Sequence, residues 1–153
     1  MADRIQALHS AMSLCYLDNI QISKKKYASL LEPLCRRYDL TRSELDVMLF
    51  LANNPGFDRA ADIVSMRQIA KSHVSLSVGN LEKRGLLVRR FEAADRRAAH
   101  LQLTEAADPI VREGQALQQH FFRQMFRGLS QEELISFGEI LLKICNNIEN
   151  ITD

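Results

Sequence analysis

The chain lacks tryptophan altogether, and its 153 residues include only three cysteines, three prolines and six glycines. Cys15, Cys35 and Cys145 are odd in number and widely spaced, with no CxxC pair. That excludes a disulfide framework and a zinc knuckle. The four histidines, His9, His73, His100 and His120, are scattered with no His-x-x-x-His pair, so no shared metal site is expected. There is no glycine-rich phosphate loop, no nucleophile elbow and no carboxylate pair whose spacing suggests a cleft. Neither catalytic residues nor a cofactor are expected, and the chain does not read as an enzyme. No apolar run approaches the roughly 18 residues that cross a bilayer. Met1-Ala2-Asp3 opens without a signal-peptide layout. A cytoplasmic protein with no membrane partner is expected, and Lys24-Lys25-Lys26 reads as a solvated helix face.

What is present is ordinary in amount and unusual in distribution. Hydrophobic residues make up 46% and charged residues 25%, enough for one domain with its own core across residues 1–153. The formal net charge is only +1. From Lys71 to Arg97, however, seven bases face three acids, a local charge of +4. From Ser130 to Asp153 five acids face one base, a local charge of −4. Attraction of phosphate needs a local basic surface, not a basic total.

Periodicity gives a mainly helical chain. Residues 3–38 repeat at helical spacing through Ile5, Leu8, Met12 and Cys15, and Pro33 is expected to bend or end this helix. Thr41-Arg42-Ser43-Glu44 is a capping box, followed by the apolar face Leu45, Met48, Leu49 and Ala52. Asn53-Asn54-Pro55-Gly56 stops that helix. Asp58 can cap a short helix, Arg59–Met66. Ser72 is the expected cap of the next helix and Gly85 its stop, with Val74, Val78 and Leu81 on one inward face. Leu86–Phe91 and Ala98–Leu103 are expected strands around a turn, Glu92–Arg97. Another helix starts at Thr104 or Asp108; local physics favours Asp108 as cap with Pro109 in the first turn. Ser130-Gln131-Glu132-Glu133 opens the last helix, whose stripe is Leu134, Phe137, Leu141, Ile144 and Ile148.

Helix, strand, charged turn, strand over residues 71–104 is the layout of a winged helix-turn-helix. Four motifs sharpen it: Leu40-Thr41-Arg42-Ser43-Glu44-Leu45; Leu81-Glu82-Lys83-Arg84-Gly85-Leu86-Leu87-Val88-Arg89-Arg90; Asp95-Arg96-Arg97 followed by Leu101-Gln102-Leu103-Thr104; and Gly128-Leu129-Ser130-Gln131-Glu132-Glu133-Leu134. In this order and spacing they resemble the MarR family of transcriptional regulators over roughly residues 30–150. The resemblance implies a homodimer in which helices from residues 1–38 and 105–153 interlock, while residues 41–104 form a winged lobe on double-stranded DNA. It further implies a pseudo-palindromic site, usually repression, and release by a small-molecule effector. Three departures are Gly79 in the recognition helix, the absence of arginine in that helix's middle, and Pro109.

For phosphate contact the candidates are Lys71, Arg84, Arg89 and Arg90; for base reading they are Ser72, His73, Ser75, Leu76 and Asn80. The resemblance places a wing arginine in the minor groove. Arg96 is the expected groove residue, with Asp95 holding an arginine and Arg97 as structural partner. It also implies an effector pocket between dimer helices and DNA lobe, taken to lie near Tyr16, Tyr38 and Met48. Two other readings stay open. One is a redox-responsive regulator sensing through Cys15, as in the family's peroxide-sensing branch, although Arg42 stands where that branch has a tyrosine. The other is a winged-helix protein-interaction adaptor without DNA binding.

Overall fold

The fold, taken from a computed structural model, describes residues 2–92 and 95–151, with side chains described for 18–91 and 99–151. The order is α1 (Ala2–Arg37), α2 (Arg42–Asn53), α3 (Ala60–Arg67), α4 (Lys71–Lys83), β1 (Leu87–Glu92), β2 (Asp95–Leu103), a 3-10 turn (Glu105–Ala107), α5 (Asp108–Met125) and α6 (Gln131–Glu149). Among the described residues no helix is long and apolar enough to cross a membrane.

Pro33 does not end α1, which continues to Arg37. Proline inside a helix costs about 3 kcal/mol. Leu31, Leu34 and Cys35 pack into the core beside it, and burying each leucine returns roughly 1.5–3 kcal/mol. Burial therefore outweighs the missing amide. The helix stops instead at Asp39, whose φ of 50° is left-handed, with the Leu40 amide bonded back to the Cys35 carbonyl at 2.8 Å.

The capping box of α2 is formed as its residues require. The Glu44 amide donates to Thr41 Oγ1 at 3.2 Å, and the Thr41 amide donates to Glu44 Oε2 at 2.8 Å. Asp58 does not cap α3. The Arg59 amide donates to Asp62 Oδ2 at 2.9 Å, and Asp58 turns to the hairpin. Nor does Ser72 cap α4, which begins one residue earlier, at Lys71, from Ala70 without a side-chain bond. Gly85 is the stop: its φ is +70°, and the Leu86 amide reaches the Leu81 carbonyl at 3.0 Å.

The hairpin is antiparallel, with Leu87 opposite Leu103 and Arg89 opposite Leu101. Its turn is shorter than Glu92–Arg97: Asp95, Arg96 and Arg97 lie on β2, with Glu92 paired to Asp95 after an irregularity at Phe91/Glu92. The start of α5 combines the two sequence arguments. Thr104 opens a 3-10 turn, and α5 follows from Asp108. Asp108 is itself helical (φ −54°, ψ −44°) and closes the 3-10 turn, so it is not the N-cap of α5. Its amide takes the Glu105 carbonyl, the acceptor that Pro109 would have needed in a continuous α-helix.

The chain divides into two compact units, Met1–Gln118 and Gln119–Asp153. In the first, α1, α2, α3, α4, the hairpin and the start of α5 share one core containing Leu45, Met48, Phe50, Ile63, Val74, Leu81 and Leu87. Polar links fasten its rim: Arg37 to Glu113 at 2.5 Å, and Gln118 Nε2 to Tyr27 Oη at 2.6 Å. In the second, Gly128 at φ +92° ends the α5 segment and Ser130 caps α6. Phe126 stacks on Phe122 at 6.3 Å and tilts against Phe137 at 5.6 Å.

Candidate nucleic-acid interface

The interface is built from α4 outward. Val74, Ser77, Val78 and Leu81 are buried, as a helix of this period requires when one face joins the core. Lys71, Ser72, His73, Ser75 and Leu76 are exposed on the remaining surface, Leu76 at 64%. An apolar side chain so exposed on a helix that already has a core face has no folding role there. Because Ser72 does not cap the helix, its hydroxyl is not committed to the backbone. Gly79 has no heavy atom of another element within 4 Å of where a Cβ would stand, so packing does not demand glycine.

Asn80 sits differently. Its Nδ2 donates to Glu44 Oε1 at 2.9 Å, so its amide nitrogen faces α2. Arg84 is also engaged. Its two terminal nitrogens donate to the carbonyls of Tyr38 and Asp39, each at 2.6 Å, closing the end of α1. The spacing that nominated both residues carries no sign of these bonds, because the partners lie 36 and 45–46 positions away.

On the hairpin, Arg89 is exposed and pairs with Glu82 at 3.3 Å, while Arg90 Nε bonds Gln102 Oε1. Two bonds missed at the sequence level hold the hairpin to the segment before α3. The Leu101 amide donates to the Asp58 carbonyl at 2.7 Å, and His100 Nδ1 lies 2.8 Å from Asp58 Oδ1. The side chains of Asp95, Arg96 and Arg97 lie outside the described residues.

A cavity of about 560 Å³ lies between α3, α4 and the hairpin, with Val64, Val74 and Leu101 as apolar wall and Arg59, Lys71 and Arg89 around it. A second, of about 530 Å³, lies along the end of α1 and the start of α2, with Cys35 and Arg42 among its lining. Neither is lined by Tyr38 or Met48. Met48 is fully buried in the core and Tyr38 half-buried, while Tyr16 and Cys15 lie outside the described side chains. Burial raises the Cys35 thiol above its ordinary value of 9.0; the Arg42 charge acts in the opposite direction.

Comparison with known proteins agrees with this geometry. Residues 38–98 match the MarR family. A MarR family protein from Listeria monocytogenes, solved in complex with 26mer DNA, superposes with a TM-score of 0.76 at 18% identity, over 86% of this chain and 87% of that one. A MarR family regulator from Silicibacter pomeroyi gives 0.73 at 18% identity, over 88% and 90%. BpsR of Bordetella bronchiseptica, whose DNA binding is regulated by 6-hydroxynicotinic acid, gives 0.63 at 21% identity, over 84% and 96%. Residues 38–98 are thus similar to the MarR family, and the chain shares the fold of the solved MarR family regulators.

Proposed function

We propose that this chain is a sequence-specific DNA-binding transcriptional regulator, a homodimeric repressor on a pseudo-palindromic site, released by a small ligand. The observation that carries the reading is the outward face of α4. It combines a cation (Lys71), small hydroxyls (Ser72, Ser75), an imidazole (His73) and a solvent-exposed leucine (Leu76). Short side chains let a helix backbone approach the major groove closely, and an apolar tip suits a thymine methyl. Lys71 and Arg89 supply exposed positive charge for phosphate, and Arg96 is assigned to the minor groove with Arg97 as its structural partner on the hairpin. Arg84 and Asn80 are assigned a lesser part, because each already donates within the fold, Arg84 to the end of α1 and Asn80 to Glu44.

The ligand half of the reading draws support from the likeness to BpsR and from the cavity beside α4, where an occupant would touch Lys71 and Ser75. Selection of a binding site from a random oligonucleotide pool, followed by anisotropy titration, tests the proposal. The expected result is one enriched motif with two-fold symmetry, at least about a thousandfold preferred over scrambled DNA. Replacing Ser75 or Leu76 by alanine should relax the preference at particular base positions by about tenfold each. No enrichment after repeated rounds would overturn it.

A further inference from the structure

Glu44 is 4% exposed, and both its carboxylate oxygens are taken. Oε2 accepts the Thr41 amide at 2.8 Å, and Oε1 accepts the side-chain amide of Asn80 on α4 at 2.9 Å. Next to it Ser77 Oγ, on a residue also 4% exposed, donates to Ser43 Oγ at 2.8 Å. Ser77 and Asn80 are three positions apart, so they share one side of α4, and their partners are adjacent residues in the first turn of α2.

We infer that Glu44 and Asn80 are positioning residues: together with Ser43 and Ser77 they clamp α4 to the capped end of α2 and fix the rotation at which the recognition helix meets DNA. This rests on the DNA-binding reading above. Contacts of Val74, Val78 and Leu81 with the core are non-directional, and a small turn of the helix about its axis changes little buried area. A turn of about 20° nevertheless moves a side-chain tip 5–6 Å from the axis by about 2 Å. Base-edge hydrogen bonds tolerate only a few tenths of an ångström. The apolar face therefore holds the helix in place without setting its rotation finely enough, and the two side-chain bonds supply the missing direction. A buried carboxylate oxygen cannot be left without a donor, so Asn80 stays on Glu44 when DNA is present.

The test uses the site selected above and compares specific with scrambled DNA. Asn80→Ala should lower the specificity ratio by about tenfold, spread over all base positions, and Asn80→Asp by at least as much. Glu44→Gln alone should cost less, because the Asn80 amide can turn its oxygen to the new glutamine amide. In Asn80→Ala the affinity for scrambled DNA and the salt slope should stay as in the parent, since the phosphate contacts are untouched. Combining Glu44→Gln with Asn80→Asp restores the bond in reverse: the new glutamine amide donates to the new carboxylate, while its oxygen keeps the Thr41 amide. The ratio should return to within about twofold of the parent. A merely structural role would not predict that rescue of specificity. A loss confined to one base position would overturn the clamp, because Asn80 would then read a base directly. Equal loss on specific and scrambled DNA, or no rescue, would also overturn it. If Glu44→Gln does not fold, Asn80→Ala and Ser77→Ala carry the test, since both leave the capping carboxylate and its Thr41 bond intact. If the parent shows no sequence preference, the regulator reading fails alone. Amide hydrogen exchange across residues 71–83 then judges the clamp: faster exchange in Asn80→Ala supports it, and unchanged exchange overturns it.

Discussion

Two glycines in helices separate what packing demands from what it does not. A Cβ on Gly114 would stand 2.7 Å from Leu49 Cδ2, and Leu49 is itself 1% exposed, so it has nowhere to move. Gly114→Ala gains about 1 kcal/mol of helix propensity and loses about 1–3 kcal/mol to overpacking. Net destabilisation, read from the urea midpoint, is the expected outcome. Gly79→Ala meets nothing within 4 Å, so stability read from the same midpoint should rise by up to about 1 kcal/mol. Affinity for the selected DNA should fall if the helix backbone approaches the groove there. Cys35 supplies a pH prediction. Its folded-state pKa is raised by burial, so the fold favours the neutral thiol. That contribution is complete below the unfolded pKa and is lost as pH rises through the folded value. Between about pH 8 and 10 the parent should therefore lose more stability than Cys35→Ala does.

At the scale of elements, much of what is encoded within four or five residues was legible, although the caps expected at Ser72 and Asp108 were not formed. The capping boxes at Thr41 and Ser130, the stop at Gly85 and the inward face of α4 all follow from local spacing. What was not legible depends on distant partners. Asp58 looks like a cap until His100 and the Leu101 amide arrive from β2 to claim it. Arg84 and Asn80 read as a phosphate and a base contact, and their bonds to the end of α1 and to Glu44 on α2 carry no local signal. Pro33 looks like a helix end until the core payoff of Leu31 and Leu34 is counted. The hairpin carries its own prediction. Arg96→Ala and Arg97→Ala should weaken selected and scrambled DNA alike, each reducing the salt slope by about one, because backbone and minor-groove contacts hold little base information. If affinity at 100 mM salt stayed within about twofold for both, the hairpin would have no place in the interface.

At the scale of the molecule, α6 is the element its own unit cannot explain. None of its residues is buried among those described. Leu134, Phe137, Leu141 and Ile148 on the expected stripe are 37–54% exposed. Ile135 and Leu142, at 57% and 67%, lie roughly 100° around the helix from that stripe. A helix apolar on two sides needs cover on two sides, and contiguous exposed apolar surface on this scale marks an association face. A second copy is the occupant that the symmetric reading of the site requires, since two recognition helices on one two-fold axis match a pseudo-palindrome. Sedimentation equilibrium at micromolar concentration should therefore give twice the chain mass. Leu142→Glu should shift the population toward monomer, because a charge buried at such a face is costly unless paired. The same variant should weaken the full selected site far more than a single half-site, since only the dimer links the two binding events. A monomeric mass for the parent, or equal loss on full and half-sites, would mean that α6 is covered by something other than its own copy.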